Sequence, residues 1–281
     1  MLNALSVDVE DYFHVEAFVS RIQRDDWHTF ECRVERNVDL TLDILAKHHT
    51  LATFYVLGWV AERLPGLVKK IAEAGHEIGC HGYAHQRIHR QTREEFREDV
   101  RKVRRDITEQ IQRPIYCYRA PSFSIVESTL WALDILVEEG FTIDSSIFPV
   151  RHDLYGIPGS LRFPYWRGSI FEFPPTTIGN GSIRFGVGGG GYLRLLPYKF
   201  TKWAIRKINE TENQPAMVYF HPWELDPEQP RIPAPLRSRF RHYTNLKKMK
   251  GKIERLLTDF HFSTVSDVCS RLPIYKNPPA C

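Results

Sequence analysis

The chain has 281 residues but no C-x2-C pair, no long apolar run and no strong imbalance of charge. Its five cysteines (Cys32, Cys80, Cys117, Cys269 and Cys281) are odd in number and widely scattered. That spacing argues against a disulfide framework or a cysteine-rich zinc site and predicts reduced, mostly buried thiols. No stretch reaches the roughly 18–20 consecutive apolar residues of a membrane span. Met1-Leu2-Asn3-Ala4-Leu5 lacks the basic start of a signal peptide, and acids arrive at Asp8, so a cytoplasmic location is expected. A formal charge of +4 is too small and dispersed for a nucleic-acid partner. The densest basic stretch runs from Arg231 through Arg237, Arg239 and Arg241 to Lys247, Lys248, Lys250 and Lys252. It could meet an anionic glycan or a membrane surface, but a solvated loop and helix face is the preferred reading.

What is present is an alternation of strand and helix patterns. Residues 4–9, 52–57, 76–80, 115–118 and 141–144 read as strands; residues 34–48, 65–74, 92–112 and 127–139 read as helices. Thr92-Arg93-Glu94-Glu95 is a capping box, and Gly75 and Gly140 are stop signals. This order predicts an α/β fold with a parallel sheet covered by helices. Beyond Asp144 the rhythm breaks into a Pro- and Gly-rich region. Residues 195–210 and 245–259 then read as helices, and 216–220 and 262–265 as strands. Gly186-Val187-Gly188-Gly189-Gly190-Gly191 lacks the Gly-Lys-Ser/Thr ending of a phosphate-binding loop and reads as a mobile loop at the sheet rim. No linker divides the chain, so residues 1–281 are expected to form one domain, extended from about residue 226.

The densest chemistry lies in His81-Gly82-Tyr83-Ala84-His85, which follows the predicted strand His76-Glu77-Ile78-Gly79-Cys80. Two imidazoles four residues apart can share a metal ion, although two capping histidines would look the same. Asp8, Glu10 and Asp11 close the first strand and supply carboxylates. Imidazole and carboxylate ligands with an open position suit a divalent ion that activates water, and zinc is the expected one. Strand alternation turns Cys80 away from His81, which favours a packing role. Asp8, His81, Arg119, Asp144 and His221 each fall at or just after the end of a predicted strand. In a parallel barrel that end carries the chemistry.

In order, Ala52-Thr53-Phe54-Tyr55-Val56-Leu57-Gly58, the His76–His85 segment, Tyr118-Arg119-Ala120-Pro121 and Val218-Tyr219-Phe220-His221-Pro222 resemble the polysaccharide deacetylase family. These are the chitin-deacetylase and NodB-like hydrolases of carbohydrate esterase family 4, and the resemblance covers roughly residues 3–270. The opening Ser-Val-Asp-Val-Glu-Asp-Tyr-Phe-His and the later Val-Tyr-Phe-His-Pro-Trp-Glu-Leu-Asp-Pro are similar to the subgroup of exopolysaccharide gene clusters.

The resemblance implies a distorted, incomplete (β/α)7 barrel that removes acetyl groups from N-acetylhexosamines of a glycan. His81 and His85 match the family's metal-binding histidines, Asp8 its catalytic base and His221 its general acid. Arg119 matches the arginine that orients the base, and Asp144 the acid that tunes the histidine; a surface arginine and a helix cap are the plain alternatives. The family's second aspartate is missing in Asp8-Val9-Glu10-Asp11, so the third ligand is expected to be Glu10, two residues on, rather than Asp11. Trp223 and Tyr83 could stack on a sugar or simply pack. His14 and His28 lie in the first loop, within possible reach of substrate. Two rival functions remain: hydrolysis of small cyclic amides or imides, and a non-catalytic glycan-binding barrel. The precise glycan and the oligomeric state are not legible.

Overall fold

Strand β1 (Leu2–Val9) divides its side chains between two apolar clusters, as a period of two dictates. Leu5, Val7 and Val9 join the larger, helix-covered cluster; Ala4 faces inward with Tyr55, Cys117, Ile143, Phe171 and Met217. These positions come from a computed structural model, which describes residues 1–152, 155–181 and 183–279. Parallel strands β2 (Thr53–Val56), β3 (Glu77–Cys80), β4 (Cys117–Tyr118) and β5 (Ile143–Asp144) follow β1 in space. After them come β6 (Tyr165–Arg167), β7 (Ile170–Glu172), the hairpin β8 (Thr177–Asn180) and β9 (Ile183–Gly186), β10 (Met217–Phe220) and β11 (His261–Ser263).

The main sheet runs β10-β1-β2-β3-β4-β5-β7-β6, with β11 beside the start of β1. Every pairing in it is parallel except β6 with β7. The sheet curls without β6 returning to β10 among the described residues, so the architecture is α/β, an incomplete barrel. Strands β10 and β11 both pair with β1, which ties the last quarter of the chain into the same sheet as the first.

Helices α1 (Val34–Lys47), α2 (Gly58–Arg63), α3 (Pro65–Glu73), α4 (Arg93–Ile111) and α5 (Trp131–Glu138) cover the first half. The Thr92–Glu95 capping box forms as the sequence predicts and starts α4. Helices α6 (Gly190–Leu195), α7 (Tyr198–Arg206), α8 (Leu236–Tyr243), α9 (Leu246–Asp259) and α10 (Val265–Arg271) cover the second. None of the described helices is long and apolar enough to cross a membrane. Cys80, Cys117 and Cys269 are buried free thiols and Cys32 is exposed; Cys281 lies outside the described residues.

Several expectations are corrected. The strands near residues 115 and 141 shorten to Cys117–Tyr118 and Ile143–Asp144. The helix expected over 195–210 splits, because Pro197 holds Leu196 extended, at φ −71° and ψ 143°, before α7 begins. The glycine run is not a rim loop. Residues 186–190 are buried, and Gly189 forms a parallel bridge with Tyr219 on the edge of β10. A Cβ on Gly188 would sit 2.4 Å from the Met217 carbonyl oxygen, and one on Gly189 would sit 2.1 Å from the Tyr219 ring. The glycines are there for close backbone approach.

Candidate active site and metal centre

Strand parity decides which side chains meet. Val9, Cys80, Tyr118 and Phe220 point outward into the helix-covered core, so Asp8, His81, Arg119 and His221, one residue away, point inward. Glu10, two residues past Asp8, shares that face. All of these lie at the carboxyl ends of β1, β3, β4 and β10 and line or underlie one cavity of about 440 Å³.

Asp8 and Arg119 form the floor. Arg119 is fully buried and donates from Nη1 to Asp8 Oδ1 at 2.7 Å and to Ser6 Oγ at 2.7 Å. Its Nε and Nη2 donate to the Ser145 carbonyl and hydroxyl, and its guanidinium lies 4.3 Å from the Tyr55 ring centre. A guanidinium this completely bound cannot swing away, so it aims the carboxylate. Burial alone would raise the Asp8 pKa, but the charges of Arg119, His81 and His221 outweigh it and hold Asp8 ionised below the ordinary range.

Glu10, His81 and His85 are buried together, each offering a ligand atom within 4.8 Å of the others. His81 Nδ1 lies 2.9 Å from the Arg119 carbonyl oxygen, which can only accept. The ring therefore carries its proton on Nδ1 and leaves the Nε2 lone pair for a metal. Burial lowers His81 to about 4 and His85 well below its usual value, so both are neutral ligands at pH 7. Glu10 Oε2 is buried, accepts no hydrogen bond and lies 3.1 Å from His85 Nε2. Burial, with Asp8 nearby, pushes Glu10 up to about 8 against the pull of His221. An orphaned buried carboxylate oxygen beside two imidazole lone pairs is the donor set of a divalent ion of the zinc type, and the residues fit it.

Asp11 is engaged elsewhere. Its carboxylate accepts from the backbone N–H groups of Tyr12, Arg33 and Val34, at 2.9, 2.5 and 2.9 Å. It thereby caps α1 from another segment, since Arg33 at the helix start provides no side-chain cap.

His221 Nε2 faces Glu10 Oε1 at 3.1 Å and Asp8 Oδ2 at 3.9 Å. Its Nδ1 meets Glu224 Oε2 at 3.0 Å, and Glu224 is held in turn by Arg194 Nε at 2.5 Å. Burial opposes the charge on His221, but Glu10, Glu224 and Asp8 outweigh it and raise the imidazole to about 9. Glu224 would rise on burial, yet Arg194 and His221 bring it to about 2.

The expected partner of His221, Asp144, is therefore corrected to Glu224. Asp144 pairs in register with Tyr118, which faces outward, so parity carries its carboxyl away from the cleft. It accepts from Ser146 Oγ and lies beside Glu172, its register neighbour on β7. Ser145, one residue on, is the one that faces Arg119. Glu224 was legible in part: His221-Pro222-Trp223-Glu224 reproduces the N-cap to N3 spacing, and the Glu224 side chain accepts from the His221 N–H.

Trp223 lines the cavity, stacked between His221 and His242 at centroid distances of 5.2 and 4.2 Å. Tyr83 does not line it; its hydroxyl donates to Glu62 and Lys102 lies over its ring. His14 is buried behind the site, packed against Trp27 and Trp59, with Nδ1 accepting from the Asp11 N–H. His28 is exposed on a surface turn. Phe123, Tyr155, Tyr192 and Tyr219 complete an aromatic wall to which no sequence motif assigns a role.

Comparison with known proteins relates parts of the chain to characterised sequences and its fold to a solved one. The sequence pattern of the polysaccharide deacetylase family matches residues 23–136, and that of a domain of unknown function (DUF3473) matches residues 145–270. A peptidoglycan-N-acetylglucosamine deacetylase of Bacillus cereus is 37% identical over 99 residues, 33% of this chain and 34% of that protein. One from Listeria monocytogenes is 36% identical over 69 residues, 25% of this chain and 15% of that protein. The matches thus span about a third of the length of the first of these curated relatives and less of the second. The crystal structure of a provisionally assigned polysaccharide deacetylase from Mycobacterium smegmatis superposes with a TM-score of 0.63 at 18% identity, covering 100% of this chain and 93% of that one. That likeness is one of fold.

Proposed function

We propose that this chain, whose residues 23–136 match the polysaccharide deacetylase family, is a member of it and a metal-dependent hydrolase removing acetyl groups from N-acetylhexosamine units of a glycan. One observation carries the reading: the Glu10, His81 and His85 cluster shares its cavity with an ionised Asp8 and a carboxylate-backed His221. A divalent ion held by that cluster, zinc by its ligand chemistry, would polarise the acetyl carbonyl and lower the pKa of water to about 7.

The chain's own residues supply the rest. Asp8, aimed by Arg119, takes the proton of the attacking water. His221 donates from Nε2 to the departing amine nitrogen, which must be protonated to leave. Glu224 holds Nδ1 of that ring and, fixed by Arg194, sets which nitrogen faces the substrate. The aromatic wall packs the sugar and keeps bulk water out. An exopolysaccharide or its precursor is the favoured glycan, on the Ser6–His14 and Val218–Pro227 segments.

Asp8→Asn tests the assignment through acetate released from N-acetylglucosamine oligomers. Turnover should fall at least about a hundredfold, the low end for a positioned acid or base, with bound metal retained. Near-normal turnover would remove Asp8 from the chemistry.

A further inference from the structure

The acids lining the cavity are already balanced. Asp8 is bound by Arg119 and Glu16 by Arg90 at 2.9 Å, while Glu10 belongs to the Glu10, His81 and His85 cluster; behind the lining, Glu224 is held by Arg194. Arg194 is committed as well, since its Nη1 donates to the carbonyls of His242 and Thr244. One lining cation is left over. Arg241, in the last turn of α8, is half-exposed and forms no ion pair with any described residue. Nothing nearby in sequence offsets it: from Gln229 to Ile253 the chain carries eight lysines and arginines and no acid. Arg241 lies close enough to Tyr155 for its charge to act on that phenol. The Tyr155 ring, stacked on His152 at 3.9 Å, forms the adjoining wall.

An uncompensated guanidinium beside aromatic faces, inside a cleft, is suited to a planar anion on a sugar. Arginine binds a carboxylate with two parallel hydrogen bonds, and the aromatic wall weakens the competition from water. We propose that Arg241 forms an anion subsite of this cleft that takes the carboxylate of an acidic sugar adjoining the N-acetylhexosamine. The substrate class is then an acidic N-acetylated glycan rather than a neutral chitin-like chain. This rests on the deacetylase reading above.

The zinc-loaded protein is assayed for acetate release from three oligosaccharides. One is neutral N-acetylglucosamine tetramer, one alternates N-acetylglucosamine with a uronic acid, and one carries the lactyl carboxylate of N-acetylmuramic acid. The wild type should favour a carboxylate-bearing chain by about 10- to 100-fold in kcat/KM, the range of a hydrogen-bonded charge. Which acidic chain wins identifies the source of the carboxylate. Arg241→Ala should collapse that ratio, Arg241→Lys should keep part of it, and Arg239→Ala, outside the cavity, should leave it in place. No preference in the wild type, or an unchanged ratio in Arg241→Ala, overturns the subsite. Calorimetric binding of the deacetylated uronate tetramer and of its methyl ester separates the two readings. Arg241-dependent preference for the free acid without acetate release from any chain sinks the deacetylase reading and keeps the subsite. Acetate release without discrimination does the reverse.

Discussion

At the scale of single residues, the site places each charge where a neighbour decides its state. Arg119 keeps Asp8 ionised although it is buried, and Glu10 with Glu224 keeps His221 charged although its ring is largely enclosed. Glu224→Gln leaves an acceptor near Nδ1 but removes the charge. Amide turnover should drop about 10- to 100-fold, the usual cost of losing an orienting partner. Activated acetate esters, which need little protonation of the leaving group, should lose far less, and bound metal should be unchanged. Equal losses on amide and ester would show that Glu224 only supports packing. Asp8, His81, Arg119 and His221 were legible as candidates because each follows a strand end that the apolar pattern marks and matches a motif of the family the chain resembles; Glu10 followed from that resemblance and from sharing a strand face with Asp8. Asp144 misled because a strand end fixes depth in the barrel but not face. Only the register with Tyr118 shows that it points outward. Glu224 was missed because its carboxylate returns to His221 through a short turn that apolar periodicity does not mark.

At the scale of elements, two neighbouring acids at the end of β1 do different work. Asp11 is tied to three backbone N–H groups and sets the start of α1, whereas Glu10 points into the cleft. Asp11→Ala leaves buried donors without an acceptor and should destabilise the fold by roughly 2–4 kcal/mol, while folded molecules keep their metal. Glu10→Ala should do the opposite, losing metal with little loss of thermal stability. If Asp11→Ala empties the site while Glu10→Ala stays loaded, the ligand assignment is reversed. The repeating βα units of the first half were legible because their periodicity switches cleanly from two to 3.6. The short strands β6 to β9 were not, since three- and four-residue segments carry almost no periodicity. The glycine run deceived for a related reason: composition alone cannot distinguish a flexible loop from backbone pressed against Tyr219.

At the scale of the whole molecule, a curled sheet brings β10 beside β1, so His221 meets Asp8 across more than two hundred residues of sequence. The same sheet buries a second carboxyl pair, Asp144 and Glu172, side by side on β5 and β7. Burial raises both, and the charge on Asp144 disfavours ionisation of Glu172 further, whereas the hydrogen bond with Glu172 favours the ionised form of Asp144. A carboxyl raised in the folded state contributes stability that is complete below the ordinary carboxyl pKa of about 4.3 and is lost as pH rises through the folded value. Glu172→Gln should therefore flatten the fall in denaturant midpoint as pH rises above the ordinary carboxyl range of about 4.3. A decline parallel to the wild type would mean that the pair is not the cause. The account as a whole turns on the proposed metal site of Glu10, His81 and His85 at the mouth of the barrel. Its most direct test is acetate release from N-acetylglucosamine oligomers by the purified protein, measured alongside metal content before chelation, after chelation and after zinc is returned. The proposed function predicts about one ion per chain, turnover that disappears with the ion and returns with it, and neither in a His81→Ala, His85→Ala double variant that still folds. Undiminished acetate release from the metal-free protein, or tight metal retained by that double variant, would contradict it.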